Sequence, residues 1–444
     1  MGFALRYELI SLPDNSSHEN IANLSSKSPA KESPTLTSSE KVTLKLGYVH
    51  SDYQKQMKRI LAEFNAKYPT VEVELVSVNL TNADPQNSLD NNNLVNSLVK
   101  QGVATDLLLV EPDNLGKELF RTRYLETLGT KEEFTNFSPR ALNAWSTKEG
   151  ELYALPLFAT SNGIYYNTEI FRQLNLEIPT TWEDLLYTAE ILENYGYIPF
   201  ANSTTDGKML MDEMFLDIMP NFIGGVRGRR EYLMGDRCFN DESAIAAFAA
   251  MADLRSFLAT PDLTSNYYES LNLFAEGKAA MWFSSSGSVP ILNSYAPKAQ
   301  WSVFAVPPPA GEEEYVRFKP ELGVAINANS PYQKETRQFI EWLSTQEAAR
   351  IFARELPGLF PLHAMELAQS NPGAEAFIES IKTTPLPDSD WGLQILRDGL
   401  PDGYSLMRQG VVGVVGGKLT PTEAADNLQR GLAKWFQPAQ TCGK

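Results

Sequence analysis

The chain has 444 residues, of which 43% are hydrophobic, enough for two or three domains each with its own core. Its 38 basic and 55 acidic residues give a formal net charge of -17, which disfavours nucleic acid and anionic membrane surfaces, since both select basic patches. No run approaches the roughly 20 apolar residues of a membrane span, so an acidic soluble carrier or enzyme fits best.

Cys238 and Cys442 are too far apart in sequence to define a disulfide framework or a zinc cluster. Two unpaired thiols is the favoured reading, and a single late-closing disulfide in an oxidising compartment is the alternative. The opening MGFALRYELISLPDN has one Arg and no apolar stretch ending in small residues, so no secretory signal is present as written. Residues 11–40 are rich in Ser, Asn, Pro, Lys and Glu with few aromatics, a composition that cannot offset the cost of ordering the chain. Residues 1–40 are expected to be a flexible tether.

A clear alternation follows. The pattern predicts a strand over Lys41 to Tyr48, then a helix over Gln54 to Tyr68 with Met57, Ile60, Leu61, Phe64 and Tyr68 at helical spacing, stopped by Pro69. Val71, Val73 and Leu75 alternate with Glu72 and Glu74 as a second strand. A helix is expected over Leu94 to Gln101, and DLLLV (Asp106 to Val110) is a buried strand. Such a series implies a largely parallel sheet with helices on both faces.

Ligands of such sheets sit beyond the carboxyl ends of the strands. Two loops qualify: His50, Ser51, Asp52 and Tyr53 after the first strand, and Glu111, Pro112, Asp113 and Asn114 after DLLLV. Asp52 reads equally well as the N-cap of the helix near Gln54.

Glu151 to Asn167, ELYALPLFATSNGIYYN, reads as a buried extended segment crossing between lobes. Pro156 cannot donate to a central ladder and marks a crossover or edge. Thr160, Ser161 and Asn162 offer uncharged hydrogen-bonding groups beside Tyr165 and Tyr166, a mixture suited to a polar, neutral, ring-shaped ligand. Farther on, Thr180 with Glu183 gives a capping-box helix start, and helices are expected over Met209 to Met219 and Ser243 to Leu258. FAEGKAAMWF ends a helix at Gly277 and begins a strand that carries Trp282 toward a Ser-rich turn, Ser284 to Ser288. Strands are expected over Trp301 to Val306 and Gly323 to Asn327. Ser330, Pro331 and Gln333 predict a capped helix, Pro357, Gly358 and Pro361 a break, and Thr420, Pro421 and Glu423 another helix start.

Several stretches match one family in order and spacing: QMKRILAEFNAKYPTVEVELV, ATDLLLVEPDNLGKELFRTRYLETL, ELYALPLFATSNGIYYNTEIFRQLNLEIPTTWEDL, LFAEGKAAMWFSSSGSV, ELGVAINANSPYQKETRQFIEWLSTQEAARIF and GKLTPTEAADNL. Together they cover nearly everything from Lys41 to the last helix. The chain resembles the sugar-type, maltose-binding-protein-like extracellular solute-binding proteins of bacterial ATP-driven importers. The resemblance implies a periplasmic-binding-protein-like α/β fold: two α/β lobes joined by three crossings, closing on a ligand held between them by hinge motion. The crossings would lie near Pro156 to Asn162, Glu321 to Gly323 and Pro357 to Pro361. The lobes would comprise residues 41–155 with 324–357, and residues 156–323 with 358–444.

Carried over residue by residue, the resemblance implies ligand contacts from His50, Asp52, Tyr53, Glu111 and Asp113 on the first lobe and from Ser161, Asn162 and Tyr165 at the crossing. A second-lobe loop would supply Asp206, and the segment after the AM dipeptide Ser285 and Gly287, with Gly323 at the second crossing. Many family members carry a stacking Trp just after that Gly, where this chain has Ser288 and Val289. Stacking would then fall to Trp282, Phe283, Tyr165, Phe360, Trp391 or Tyr404, and a small ligand such as maltose, trehalose, sucrose or glucosylglycerol is expected over a long oligosaccharide. Carboxylates suit sugar hydroxyls through charge-assisted hydrogen bonds, and aromatic faces cover the C–H side of a pyranose. Trp282, Phe360 and Trp391 read equally as core, and Asp206 and Glu111 as solvated surface.

The expected partners are a small neutral sugar and the membrane permease subunits of the importer, with no nucleic acid, no metal and no cofactor, and the chain is expected to be monomeric. Its expected place is periplasmic or extracytoplasmic, with a lipid anchor in the native precursor. A polyamine or peptide cargo is the alternative on the same fold. A glycosidase using Glu111 with Asp206 is a more remote one: no nucleophile elbow, HExxH or phosphate loop is visible, and His18, His50 and His363 show no ligand spacing.

Overall fold

Alternation in VTLKLGY decides the first element: Val42, Leu44 and Leu46 face the core while Thr43 and Lys45 face out. In the computed structural model this segment is β1 (Val42–Tyr48), and Met57, Ile60, Leu61 and Phe64 turn the apolar side of helix Gln54–Lys67 onto the same core. The structure describes residues 41–48, 53–77, 105–112, 114–137, 139–363, 372–383, 396 and 399–443. The helix expected over Leu94 to Gln101 lies outside them, as do His50, Asp52, Asp113 and Trp391.

Eleven further strands follow: β2 (Val71–Ser77), β3 (Leu107–Val110), β4 (Gly129–Thr130), β5 (Glu151–Leu152), β6 (Leu155–Asn167), β7 (Ile198–Ser203), β8 (Leu258–Ala259), β9 (Ala279–Ser285), β10 (Trp301–Phe304), β11 (Phe318–Ile326) and β12 (Phe360–Pro361). Among the described residues β4 and β5 form a small ribbon, and the others one ten-stranded sheet in the order β2-β1-β3-β11-β6-β9-β7-β8, with β10 and β12 also paired to β6. The sheet is mixed. β1 pairs parallel with β2 and β3, and β7 with β8 and β9. β6 and β11 are antiparallel to every partner. The expectation of a largely parallel sheet holds toward each end and fails in the middle, where two long strands run back and forth between the ends.

Two cores flank those strands. One gathers Leu44, Leu46, Ile60, Phe64, Leu107, Trp145, Phe158, Phe339 and Trp342; the other gathers Phe200, Phe215, Met219, Phe248, Met281, Phe283, Val411 and Leu428. β6 contributes Leu155, Leu157 and Phe158 to the first and Ile164 to the second. A satellite cluster around Tyr165, Phe274, Trp282, Phe360 and Phe377 packs beside them.

Local signals placed most helices to within a few residues. The Thr420 capping box with Glu423 is formed and starts helix Pro421–Leu432. The preceding capping box is displaced by one: Thr181, with Asp184 as its reciprocal partner, starts helix Trp182–Asn194 in place of Thr180 with Glu183. Helix Gln333–Leu343 begins two residues beyond the expected start, because the Ser330 hydroxyl is turned inward to donate to Asp106 at 2.6 Å.

Cys238 and Cys442 form a disulfide with Cα atoms 5.2 Å apart, linking positions 204 residues apart in sequence. The reading of two free thiols is therefore corrected. Sequence distance gave no hint that Gln429 would draw both segments together, accepting from the Phe239 amide and donating to the Ala439 carbonyl. Among the described residues no helix is long and apolar enough to cross a membrane.

Candidate functional site: the β6–β11 crossing

Where β6 passes from one core to the other its polar residues are concentrated. Asn162 lies opposite Ser285 on β9, and Thr160 opposite Lys319 on β11. The β6–β11 register shifts between Pro320 and Leu322 and again between Leu322 and Gly323, so Glu321 is the extra residue of a bulge, a device that re-aims a side chain. The Thr160 hydroxyl donates to Glu321 Oε1 at 2.6 Å, and Lys319 Nζ lies 2.8 Å from Glu321 Oε2.

A second group arrives from helical segments of the other lobe. Helix Gly207–Met209 runs into a π-helical turn, Leu210–Phe215, and then helix Leu216–Ile223. The wide turn presents Asp212 and Glu213 beside the crossing, a recurrent use of π-helical turns. Asn162 Nδ2 donates to Glu213 Oε2 at 3.3 Å, Arg317 donates to the Asp212 carbonyl at 2.7 Å, and the Tyr404 hydroxyl donates to Asp212 Oδ1 at 2.9 Å. Asp217 is 3% exposed and 3.6 Å from Arg317 Nη1.

Electrostatics at the crossing are strongly perturbed. Burial pushes the Glu213 carboxyl up to about 7; Arg317 opposes this and Asp212 reinforces it. Burial likewise holds Asp217 well above the ordinary carboxylate range, against Arg317 and with Glu213 adding to the rise. Glu321 goes the other way: burial would raise it, but Lys319, Thr160 and Arg317 together outweigh burial and keep it below its usual value. Glu111, at the carboxyl end of β3 and exposed, adds to the field that keeps Lys319 charged.

Of the residues singled out from sequence, the structure brings Tyr53, Glu111, Ser161, Asn162, Ser285, Gly287 and Tyr404 to or beside this crossing. The Ser161 amide donates to Ser286 Oγ at 3.0 Å and its hydroxyl to the Arg317 carbonyl at 3.0 Å. A Cβ on Gly287 would stand 2.7 Å from the Tyr53 hydroxyl oxygen, so the turn after β9 meets the start of the first helix here.

The structure gives other positions packing roles. Tyr165 and Trp282 are both fully buried, their ring centroids 5.3 Å apart, and the Tyr165 hydroxyl donates to the Ser285 carbonyl at 2.8 Å. Phe360 is 6% exposed within the same cluster. Gly323 faces the Leu155 carbonyl and the Trp145 indole, each about 3 Å from where a Cβ would stand. Asp206 caps helix Gly207–Met209, its Oδ1 accepting from the Lys208 and Met209 amides at 3.0 Å. His363 is held against Phe137, centroids 4.5 Å apart. Among the described residues no group of His, Cys, Asp and Glu side chains is placed to hold a metal ion.

Asp212, Glu213, Asp217, Arg317, Lys319 and Glu321 were missed from sequence. A signal was present for both groups: MLMDEMFLDIMPNFI places Glu213 and Asp217 four apart in an apolar run, and Arg317, Lys319 and Glu321 alternate at strand period.

The comparisons with known proteins agree with this architecture. The profile of the family described as bacterial extracellular solute-binding protein matches residues 50–350. A multiple sugar-binding protein of Streptococcus mutans is 23% identical over 329 residues, 72% of this chain and 74% of that protein. The solved structure of RafE of Streptococcus pneumoniae in its apo form superposes with a TM-score of 0.70 at 18% identity, covering 91% of this chain and 100% of that one. The GacH receptor of Streptomyces glaucescens has a TM-score of 0.70 at 19% identity, covering 89% and 99%. With two cores joined through a shared antiparallel crossing and a family profile spanning residues 50–350, more than half of the chain, the chain belongs to the bacterial extracellular solute-binding proteins.

Proposed function

We propose that this chain is the substrate-binding component of an ATP-driven importer, capturing a small sugar or glycoside at the β6–β11 crossing and delivering it to the membrane permease by hinge closure. The observation that carries the reading is the crossing itself. Thr160, Asn162, Glu213, Lys319 and Glu321 crowd hydrogen-bonding groups around the place where β6, paired with β11, passes from one core to the other. Ligand contacts made there bias the angle between the lobes, because a ligand shifts a conformational population by its differential affinity for the two states. Residues 41–155 with 324–357 would move against residues 156–323 with 358–444. The relatives named above as a multiple sugar-binding protein, and RafE, also solved in complex with raffinose, support a saccharide cargo.

A mono- or disaccharide is favoured over longer chains. Ser288 and Val289 follow Gly287, and Tyr165, Trp282 and Phe360 are occupied in packing, which leaves the half-buried Tyr53, Phe318 and Tyr404 among the described aromatics beside the crossing. His50, Asp52, Asp113 and Trp391 remain candidate contacts. The reading involves no catalytic step, and it places a monomeric protein outside the cytoplasm, lipid-anchored in its precursor, where the Cys238–Cys442 bridge is stable. Calorimetric titration with maltose, trehalose, sucrose, glucosylglycerol and raffinose tests it. Saturable one-to-one binding of at least one, accompanied by compaction in small-angle scattering, is expected; heat-silent titrations across the panel would overturn it.

A further inference from the structure

Acidic groups outnumber basic ones at the crossing. Four carboxylates, Asp212, Glu213, Asp217 and Glu321, share two cations, Arg317 and Lys319. Both cations already serve other groups. Arg317 is drawn to the Asp212 carbonyl at 2.7 Å and toward Asp217 at 3.6 Å, and Lys319 is paired with Glu321 at 2.8 Å. Glu213, only partly buried, accepts one hydrogen bond among the described residues, a long one of 3.3 Å from Asn162. Behind it Asp217 is 3% exposed; Asn162 and Arg317, the latter 3.6 Å away, lie close enough to lower its carboxyl, yet neither oxygen accepts a hydrogen bond of ordinary length and angle among the described residues. A buried carboxylate without a donor is costly, and Asp217 stands one helical turn from Glu213, whose single acceptor contact is long.

From this arrangement we infer that the ligand carries a basic nitrogen, an amino sugar or amino-substituted glycoside, whose ammonium is bound by Glu213 with Asn162 beside it and the Asp217 carboxyl behind. The inference rests on the sugar-capture reading and narrows its substrate class. An ammonium supplies both missing elements, positive charge and N–H donors, whereas a neutral hydroxyl supplies only the second. A metal ion is disfavoured by the placement of these acids, which do not converge as a ligand set. An anionic ligand would meet the acid excess directly.

The groups that face Glu213 are Asp212 and Asp217 from its own helical segments, Arg317 just before β11, Lys319 and Glu321 from β11, and Asn162 and Tyr165 from β6. The Tyr165 hydroxyl is committed to the Ser285 carbonyl. Because burial keeps the Glu213 carboxyl protonated into the neutral range, an arriving cation would displace its proton. Binding of an amino sugar, already protonated at pH 6, should then release close to one proton.

The test is calorimetric titration of the intact protein at pH 6 with the β-1,4-linked disaccharide of glucosamine, its di-N-acetylated form and cellobiose, in two buffers of different ionisation enthalpy. Expected are an affinity for the amino disaccharide at least about tenfold above either neutral partner and proton release with the amino disaccharide alone. Glu213→Gln should bring the affinity ratio near one and abolish the proton release, and Glu213→Asp should restore part of both. Equal or weaker binding of the amino sugar, with a neutral saccharide binding saturably, would overturn the inference and leave the sugar reading standing. Binding of spermidine with no saccharide bound would overturn both.

Discussion

The Thr160 hydroxyl donates a 2.6 Å hydrogen bond to Glu321 Oε1, tying β6 to the bulge of β11 where the two cores meet. Its loss through Thr160→Val leaves the carboxylate with Lys319 but removes the cross-strand tie. The expected cost is about 1–2 kcal/mol in urea unfolding. A broader distribution of lobe angles should accompany it, measured by double electron–electron resonance between spin labels on the two lobes.

Gly287 and Tyr53 meet so closely that a Cβ on Gly287 would stand 2.7 Å from the tyrosine oxygen. The obstructing atom is the far end of a side chain, so Gly287→Ala should fold with little change in thermal midpoint while closing less completely. Ligand affinity is expected to fall about tenfold, about 1.4 kcal/mol, as read by calorimetry. Gly287→Ala combined with Tyr53→Phe should recover part of the loss, since the double variant removes the crowded oxygen.

The covalent link between Cys238 and Cys442 joins positions 204 apart in sequence, and most of the second core lies between them. Replacing both cysteines by serine should lower stability by about 2–5 kcal/mol, chiefly by freeing the unfolded chain. Both cysteines join segments away from the crossing, so ligand affinity below the new unfolding transition should match the parent. Thermal unfolding with and without reductant, alongside titration, checks both parts.

The crossing was legible at Thr160 to Asn162 because uncharged polar residues interrupt an apolar strand, and Pro156 flagged a break in regularity. The acids that matter most were hidden by their context. Glu213 and Asp217 sit in a run that reads as an ordinary amphipathic helix, and nothing local announces the π-helical turn that redirects Asp212 and Glu213. Tyr165 and Trp282 failed for the opposite reason. Aromatic residues beside polar ones look like a ligand wall until the neighbouring elements are known, and here Tyr267, Phe274 and Phe377 close over them. Asp206 illustrates a third cause: its carboxylate is taken by two amides of the turn it begins, and Asp206→Ala is expected to cost about 1 kcal/mol of stability.

Protonation at the crossing should make stability fall as pH rises through the weakly acidic range. Glu213 titrates in the folded protein at about 7, above the 4.5 of an ordinary glutamate. A carboxyl raised on folding contributes stability that is complete below its unfolded value and is lost as pH climbs through the folded value. The window is therefore roughly pH 4.5 to 7, with a loss on the order of 1–3 kcal/mol. Asp217, raised by burial in the same direction, adds to the slope. Glu321, lowered by Lys319 and its hydrogen bonds in spite of burial, acts oppositely, its contribution vanishing only as pH falls below the usual carboxylate range. Urea unfolding of the ligand-free protein at pH 5, 6, 7 and 8 should show the decline, and Glu213→Gln should flatten it. Asp217→Asn is expected to be neutral or stabilising at pH 8, since it removes a buried charge without leaving a cavity. Arg317→Met should cost about 3–5 kcal/mol there, because it strands Asp217 without its partner. A flat profile in the parent together with equal effects of Asp217→Asn at pH 5 and pH 8 would refute the raised carboxyls.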